Sequence, residues 1–189
     1  MNLYPDPIAP FRPADFQVKR ARLAHEILGH HRLRREAFCL EQRLFADSDR
    51  DAVDATAIPI VAISCLLGDP DEVMGAVRIH EPGPGLWWGS RLCVASHLRG
   101  AAHLGAELIR FAVRTASAEG CDRFLAHVQL QNVGLFERLH WHRLGERALH
   151  GLPHALMQAD LAHYPPLDAS TIRHLPPVAT RPTVERRPN

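Results

Sequence analysis

The chain has 189 residues, 46 % of them hydrophobic and 23 % charged, which fits one globular domain with a full core and excludes a disordered, collagen-like or bilayer-spanning chain. Its formal net charge of +1 supplies no concentrated positive field, so neither nucleic acid nor a membrane surface is expected as a partner. Lys19 is the single lysine among 22 Lys and Arg residues, a bias that carries no functional weight.

The opening residues, MNLYPDPIAPFRP, lack the charged start and apolar stretch of a secretory signal, and a cytoplasmic location is expected. Cys39, Cys65, Cys93 and Cys121 form no C-x-x-C pair. Reduced, mostly buried thiols follow from that spacing.

Proline marks both ends, with four in residues 1–13 and six in 165–189. Each fixes φ and removes a backbone donor, so 1–15 is expected to be an extended arm, 16–164 the domain, and 165–189 a disordered or loosely draped tail. Residues 16–21 alternate as a short strand. The spacing of Leu23, Ile27, Ala37, Leu40 and Leu44 predicts a long helix over 22–42, with Gly29 positioned to divide it. An acidic loop follows, holding Asp47, Asp49, Asp51 and Asp54. Residues 57–67 are apolar and rich in β-branched side chains, GDPDE turns, and 73–80 returns as the second strand of a hairpin. EPGPG, 81–85, reads as loop and 87–95 as a third strand. A glycine-containing turn leads into a helix over 104–118, whose apolar stripe is 104, 108, 109, 112, 113 and 116. A strand at 123–129, a short helix at 132–140 and strands near 141–148 and 154–161 complete the order. Short turns join the early strands but a crossover helix precedes the strand at 123, so the class is α+β around a mixed central β-sheet flanked by helices.

The clearest chemistry lies in LCVASHLRGAAHLGAELIRFAV, residues 92–113. A strand enters a turn of small residues, Gly100, Ala101, Ala102 and Gly105, beside Arg99, and the turn enters a helix. The first N–H groups of that helix are unpaired and sit at the positive end of its dipole, which makes an anion cradle. Arg99 adds a charge-assisted hydrogen bond. Purely steric use of glycine is the alternative. Neither G-x-G-x-x-G nor G-K-[ST] is present.

His97-Leu98-Arg99-Gly100-Ala101-Ala102 resembles the Q/R-x-x-G-x-G/A diphosphate turn of the GNAT (Gcn5-related) N-acetyltransferase superfamily, with His97 in the first Gln/Arg position and Gly105 reached through a turn one residue longer. Asn132-Val133-Gly134-Leu135-Phe136-Glu137-Arg138-Leu139-His140-Trp141 resembles that family's second block, an Asn followed by a helix that ends in a G-F-like pair. The resemblance covers roughly residues 16–162, and its wider pattern looks like a subgroup encoded near nitrilases in bacterial gene clusters. It implies a splayed parallel strand pair, 87–95 and 123–129, that binds acetyl-CoA without a metal. The implied contacts are Leu92, Cys93, Val94, Arg99, Gly100, Ala101, Ala102, Leu104, Gly105, Ala106, Asn132 and Phe136, with the Val94 backbone N–H as oxyanion donor to the thioester. A small-molecule amine is the implied acceptor, Trp88 and Arg91 are substrate-side residues, and a homodimer is admitted.

Two positions depart from the family pattern. The general-base Glu aligns with Trp88 and the thiolate-protonating Tyr with Phe136. Candidate bases are therefore Glu81, at the end of a strand, and His127 or His154, on strands beside the cleft, since only an amine of pKa about 10 remains to be deprotonated. Trp87 and Trp88 are adjacent and face opposite sides of a strand, so one is expected in the core while the other walls an acceptor pocket.

Asp47-x-Asp49-x-Asp51-x-x-Asp54 lacks the Gly and Glu of a calcium loop, having Ala52 and Ile58 there. A solvated or capping loop is expected, with polar-substrate recognition by Asp51 or Asp54 as the alternative. HEILGHH, 25–31, places Gly29 where H-E-x-x-H needs its second ligand. The chain also resembles acyl-homoserine-lactone synthases in Arg34-x-x-x-Phe38, in Asp51 with Asp54, and in Ser90-Arg91-Leu92-Cys93-Val94. A third reading, prompted by the absent Glu and Tyr, is a non-catalytic CoA-binding sensor or partner subunit.

Overall fold

The structure, a computed structural model, describes residues 15–99 and 102–176. Its strands are β1 (Phe16–Arg20), β2 (Ile58–Leu66), β3 (Asp69–Gly83), β4 (Leu86–Val94), β5 (Arg123–Gln129), β6 (Trp141–Leu149), β7 (Leu152–Ala159) and β8 (Arg173–Leu175). They form one sheet in the order β6-β7-β5-β4-β3-β2-β1-β8. All pairs are antiparallel except β4 with β5, which are joined by the crossover helix α2 (Ala102–Ala118). The mixed α+β sheet is as the sequence predicts.

α1 (Ala24–Arg35) is continuous through Gly29, which does not divide it. A Cβ at Gly29 would sit 2.6 Å from Val73 Cγ2, so glycine is there to let α1 lie close on β3. Gly75 does the same for α2, where a Cβ would come 2.7 Å from Leu108. Gly75 and Arg78 point to opposite faces of β3 by strand alternation, and Arg78 bonds to residues of the loop after α1. The two long helices therefore cover opposite faces of the sheet.

The predicted apolar stripe of the first helix is not its buried face. Leu23 and Leu40 are about half exposed, whereas Glu26, His30, Leu33, Arg34 and Ala37 are buried. Each buried polar residue has a partner: Glu26 bonds to Lys19 and the N–H groups of Arg22 and Leu23, and His30 Nε2 donates to the Val77 carbonyl at 3.2 Å. After Arg35 the chain widens into a π-helical turn, Glu36–Glu41. Such turns are frequent at functional sites.

Two expected loops are ordered strand. The first hairpin turns on Leu67 and Gly68, both at positive φ, and β3 runs on to Gly83 through residues read as turn and loop. The tail after Tyr164 is also structured as far as residue 176. Arg114 donates to the Pro165 carbonyl, the Leu167 N–H donates to the Arg114 carbonyl, and β8 pairs with β1, burying Leu175. The remaining predicted tail, 177–189, and the arm up to residue 14 lie outside the described residues. α3 (Val133–Arg138) leads to His140, whose φ of +61° matches the place of the Gly in the G-F-like pair.

Candidate active site

β4 and β5 pair only from Leu86↔Arg123 to Gly89↔Ala126. Beyond that point they part, β4 staying on β3 as far as Val94 and β5 staying on β7 as far as Gln129. The cause is local. Between Ala76↔Cys93 and Arg78↔Ser90 the register shifts by one residue on β4, and Arg91 there has φ +56°. That bulge bends β4 away from its neighbour.

At the open end, Ala95 N–H donates to the Met74 carbonyl. Antiparallel hydrogen bonds alternate along a strand, so the N–H and C=O of Val94 face away from β3 and into the opening. Arg99 Nε donates to the Val94 carbonyl at 2.9 Å, which agrees with that direction, and its guanidinium also pairs with Glu41. Gln129 Nε2 donates to Gln42 Oε1 at 3.3 Å. Two consecutive residues at the end of the π-helical turn thus each reach one arm of the opening.

The α1 face of the sheet supplies the side chains. Trp88 pairs in register with His80 and stacks on His127, with ring centroids 4.9 Å apart, while Trp87 is in the core at 5 % exposure. Burial, then nearby Arg147 and His154, hold the His127 pKa below the usual histidine value, so its ring is neutral at pH 7 and can accept a proton. His154 Nδ1 lies 2.9 Å from the Leu152 carbonyl. A carbonyl only accepts, so Nδ1 carries a proton, and in the neutral ring the lone pair is on Nε2.

Below this face lies a cluster that the sequence placed in solvent. Arg34, fully buried, bonds to Asp49 at 2.7 Å and Asp54 at 2.5 Å. Arg78 holds Asp51 through two bonds of 2.6 and 2.8 Å, contacts Asp54 at 2.8 Å, and donates to Ser90 Oγ. Arg91 binds Asp49 and Asp51, each at 3.1 Å, and its guanidinium lies 4.5 Å over the Phe45 ring. Phe45 in turn meets His150 of the β6–β7 hairpin edge-on at 4.8 Å. Burial opposes charging Asp54, but the arginines hold its carboxyl well below the usual range. Asp49, Asp51 and Asp54 form an ion-paired support for the bulge where a solvated or capping loop is expected; Asp51 does cap the short turn after it, and Asp47 is exposed.

Several expected residues stand elsewhere. Glu81 bonds to the Gly85 N–H in the β3–β4 turn and lies six residues along β3 from Gly75, the partner of Val94, roughly 20 Å away at about 3.3 Å per residue. It is too far away to act as base. Leu104, Ala106, Cys93 and Phe136 bury their side chains in the core, Phe136 edge-on to Trp141, and burial pushes the Cys93 thiol up to about 12. Leu104 can offer a diphosphate only its N–H. Ala106 lies past the first four residues of α2, where N–H groups close on carbonyls four residues back. Gly100 and Ala101 lie outside the described residues, as does the side chain of Ala102. Gly105 has nothing within 4 Å of where a Cβ would stand, Asn132 is exposed, and Leu92 and Val94 are half-buried beside the opening. The sequence reading missed Phe45, His150, Gln42, Gln129 and Arg147, none of which belongs to a motif.

A splayed parallel pair that leads into a crossover helix is an acyl-CoA geometry, and the comparisons agree. The acetyltransferase (GNAT) family model matches residues 26–141. This chain belongs to the GNAT family. It is an acyl-CoA-dependent N-acyltransferase by that membership.

Several solved structures share its fold. An acyl-homoserine lactone synthase, BjaI, CoA-dependent and solved with MTA, superposes with a TM-score of 0.64 at 16 % identity, covering 79 % of this chain and 86 % of that one. Escherichia coli ElaA gives 0.63 at 18 % identity, with 77 % and 98 % covered. An acyl-CoA N-acyltransferase from Pseudomonas aeruginosa gives 0.60 at 19 %, with 76 % and 98 % covered. A sequence search of curated proteins gives no match. No helix among the described residues is long and apolar enough to cross a membrane.

Proposed function

We propose that this GNAT enzyme moves an acetyl group from acetyl-CoA to the primary amine of a small molecule by direct attack. The observation that carries the reading is the opening between β4 and β5, with the Val94 N–H directed into it and the neutral His127 ring where the strands part. The Val94 N–H stabilises the oxygen that gains charge as the amine attacks the thioester carbon. A C–N bond forms, the C–S bond breaks, and the sulfur leaves as thiolate. His127 takes the proton that the amine gives up, with His154 Nε2 the alternative acceptor. Arg99 and the first N–H groups of α2 hold the diphosphate. The reading has the enzyme act in the cytoplasm, where acyl-CoA is made and used.

Release of free thiol from acetyl-CoA in the presence of a broad amine panel tests the reading. Turnover with at least one amine is expected. Silence across the panel, with CoA still raising the melting temperature, would replace it with the CoA-binding sensor.

A second reading rests on a separate observation. Arg34, Asp51, Asp54 and Arg91, through which the chain resembles acyl-homoserine-lactone synthases, form one connected network with Arg78 directly beneath the opening. In that reading the acceptor is S-adenosylmethionine and the donor an acyl-CoA or acylated carrier protein. Lactone formation from those substrates distinguishes it from simple acetyl transfer.

A further inference from the structure

We infer that the acceptor carries a carboxylate close to its amine, in the manner of an amino acid, and that Arg147 binds it. This deepens the acetyl-transfer reading and rests on it.

The placement comes from sheet register. His154 pairs with Gln129 of β5 on one side and with Arg147 of β6 on the other. Residues opposite each other across strands project to the same face, so Arg147, His154 and Gln129 form a row on the α1 face. His127, two residues before Gln129, shares that face and stacks on Trp88. The row therefore runs from the point of strand separation outward to Arg147.

The charge on this face is one-sided. Arg147 makes no ion pair or side-chain hydrogen bond among the described residues, unlike most arginines near it. Three of the four acids of the neighbouring loop are already bound, Asp49 by Arg34 and Arg91, Asp51 by Arg78 and Arg91, Asp54 by Arg34 and Arg78, and the fourth, Asp47, is exposed. Glu41 is paired with Arg99. Glu146, next to Arg147, lies on the opposite face, opposite Ala155, and pairs with Arg143. A polyamine would meet a free guanidinium and three imidazoles, His127, His154 and His150. A carboxylate would find Arg147 as a forked donor, with Gln129 two strands further along the row. The same positive field favours the uncharged form of the amine, which is the form that attacks.

Matched pairs test this: each amino acid of a standard panel against the amine left when its carboxylate is removed, read as thiol release and product mass. The amino acid of any responding pair is expected to have the higher kcat/KM by about tenfold or more, the size of a charge-assisted bidentate contact. In Arg147→Gln the KM for that amino acid should rise about tenfold with kcat little changed, and the preference over its amine should fall towards one. Equal or better turnover of the amines, or an unaltered KM in Arg147→Gln, overturns the inference. Should no compound be acylated, calorimetry of the amino acids on the CoA complex still decides. Binding that Arg147→Gln weakens supports the carboxylate site while the transfer reading fails, and absence of binding by every amino acid overturns it. Arg147 is exposed, so its replacement is expected to leave the fold intact, checked by the thermal melt.

Discussion

Arg99 Nε donates to the Val94 carbonyl at 2.9 Å, so the side chain assigned to the diphosphate closes on the strand edge assigned to the thioester. Its guanidinium is also paired with Glu41 of the π-helical turn. A diphosphate must compete with that carboxylate for the same cation. Glu41→Gln is therefore expected to tighten CoA binding by about two- to fivefold, because exposed ion pairs contribute about 0.2–1 kcal/mol. Arg99→Glu should abolish the thermal shift given by CoA, about 2.7 kcal/mol at a hundredfold excess over Kd. Isothermal titration of both variants checks this, and weaker binding in Glu41→Gln would rule out the competition.

Arg34 is fully buried and serves Asp49 and Asp54 together. Replacing it by Met leaves two buried carboxylates without their main partner, a change that costs about 3–5 kcal/mol. Arg34→Met is expected to unfold at correspondingly lower urea concentration. The triple replacement with Asp49→Asn and Asp54→Asn should recover part of the loss, since the two stranded carboxylates are then gone, and only part, since Arg78 and Arg91 are left to share Asp51. A single variant as stable as the parent would show that the network does not support the bulge.

Burial, then Arg34, pushes the His30 pKa down to about 3, from the 6.5 usual for histidine. Below pH 6.5 the unfolded chain takes up a proton at this residue that the folded chain refuses, so stability falls as pH drops from 6.5 towards 3. The slope approaches about 1.4 kcal/mol per pH unit for each such group. His31, His80 and His127 are shifted in the same direction by burial and nearby charges and add to it. His30→Gln keeps a donor for the Val77 carbonyl and should flatten the profile between pH 6.5 and 4. Urea titrations at stepped pH read the slope, and an unchanged slope would mean that His30 titrates normally in the fold.

What the sequence disclosed divides along a physical line. β5 and α2 were legible because their apolar periods are strong and local, and Arg99 with its small-residue turn was legible because a backbone anion cradle needs particular residues in order. The first helix misled because its buried face is polar: Glu26, His30 and Arg34 are inside only because Lys19, Val77 and the aspartates satisfy them, and no periodicity of apolar residues reports such partners. Prolines near the end suggested a loose tail, yet residues 165–176 find Arg114 and an unpaired edge of β1. The row Arg147, His154 and Gln129 is hidden for another reason. Its members lie on three strands, and only the register brings them together.

His127 decides whether the imidazole row performs chemistry or only lines a pocket. A base works in its deprotonated form, so activity is lost as pH falls through its pKa. Since burial, Arg147 and His154 hold that pKa below the usual histidine value, the acidic limb of kcat/KM is expected below pH 6.5. Arg147→Gln removes one of the depressing charges and should move the limb upward. His127→Gln should lower kcat by about 10²–10⁴, the usual contribution of a positioned base, while CoA binding is retained. His154→Gln, removing the neighbour whose Nδ1 is fixed on the Leu152 carbonyl, is expected to have the smaller effect. If the two variants exchange these effects, His154 is the proton acceptor. If neither lowers kcat tenfold, the amine arrives already deprotonated and the protein contributes positioning alone.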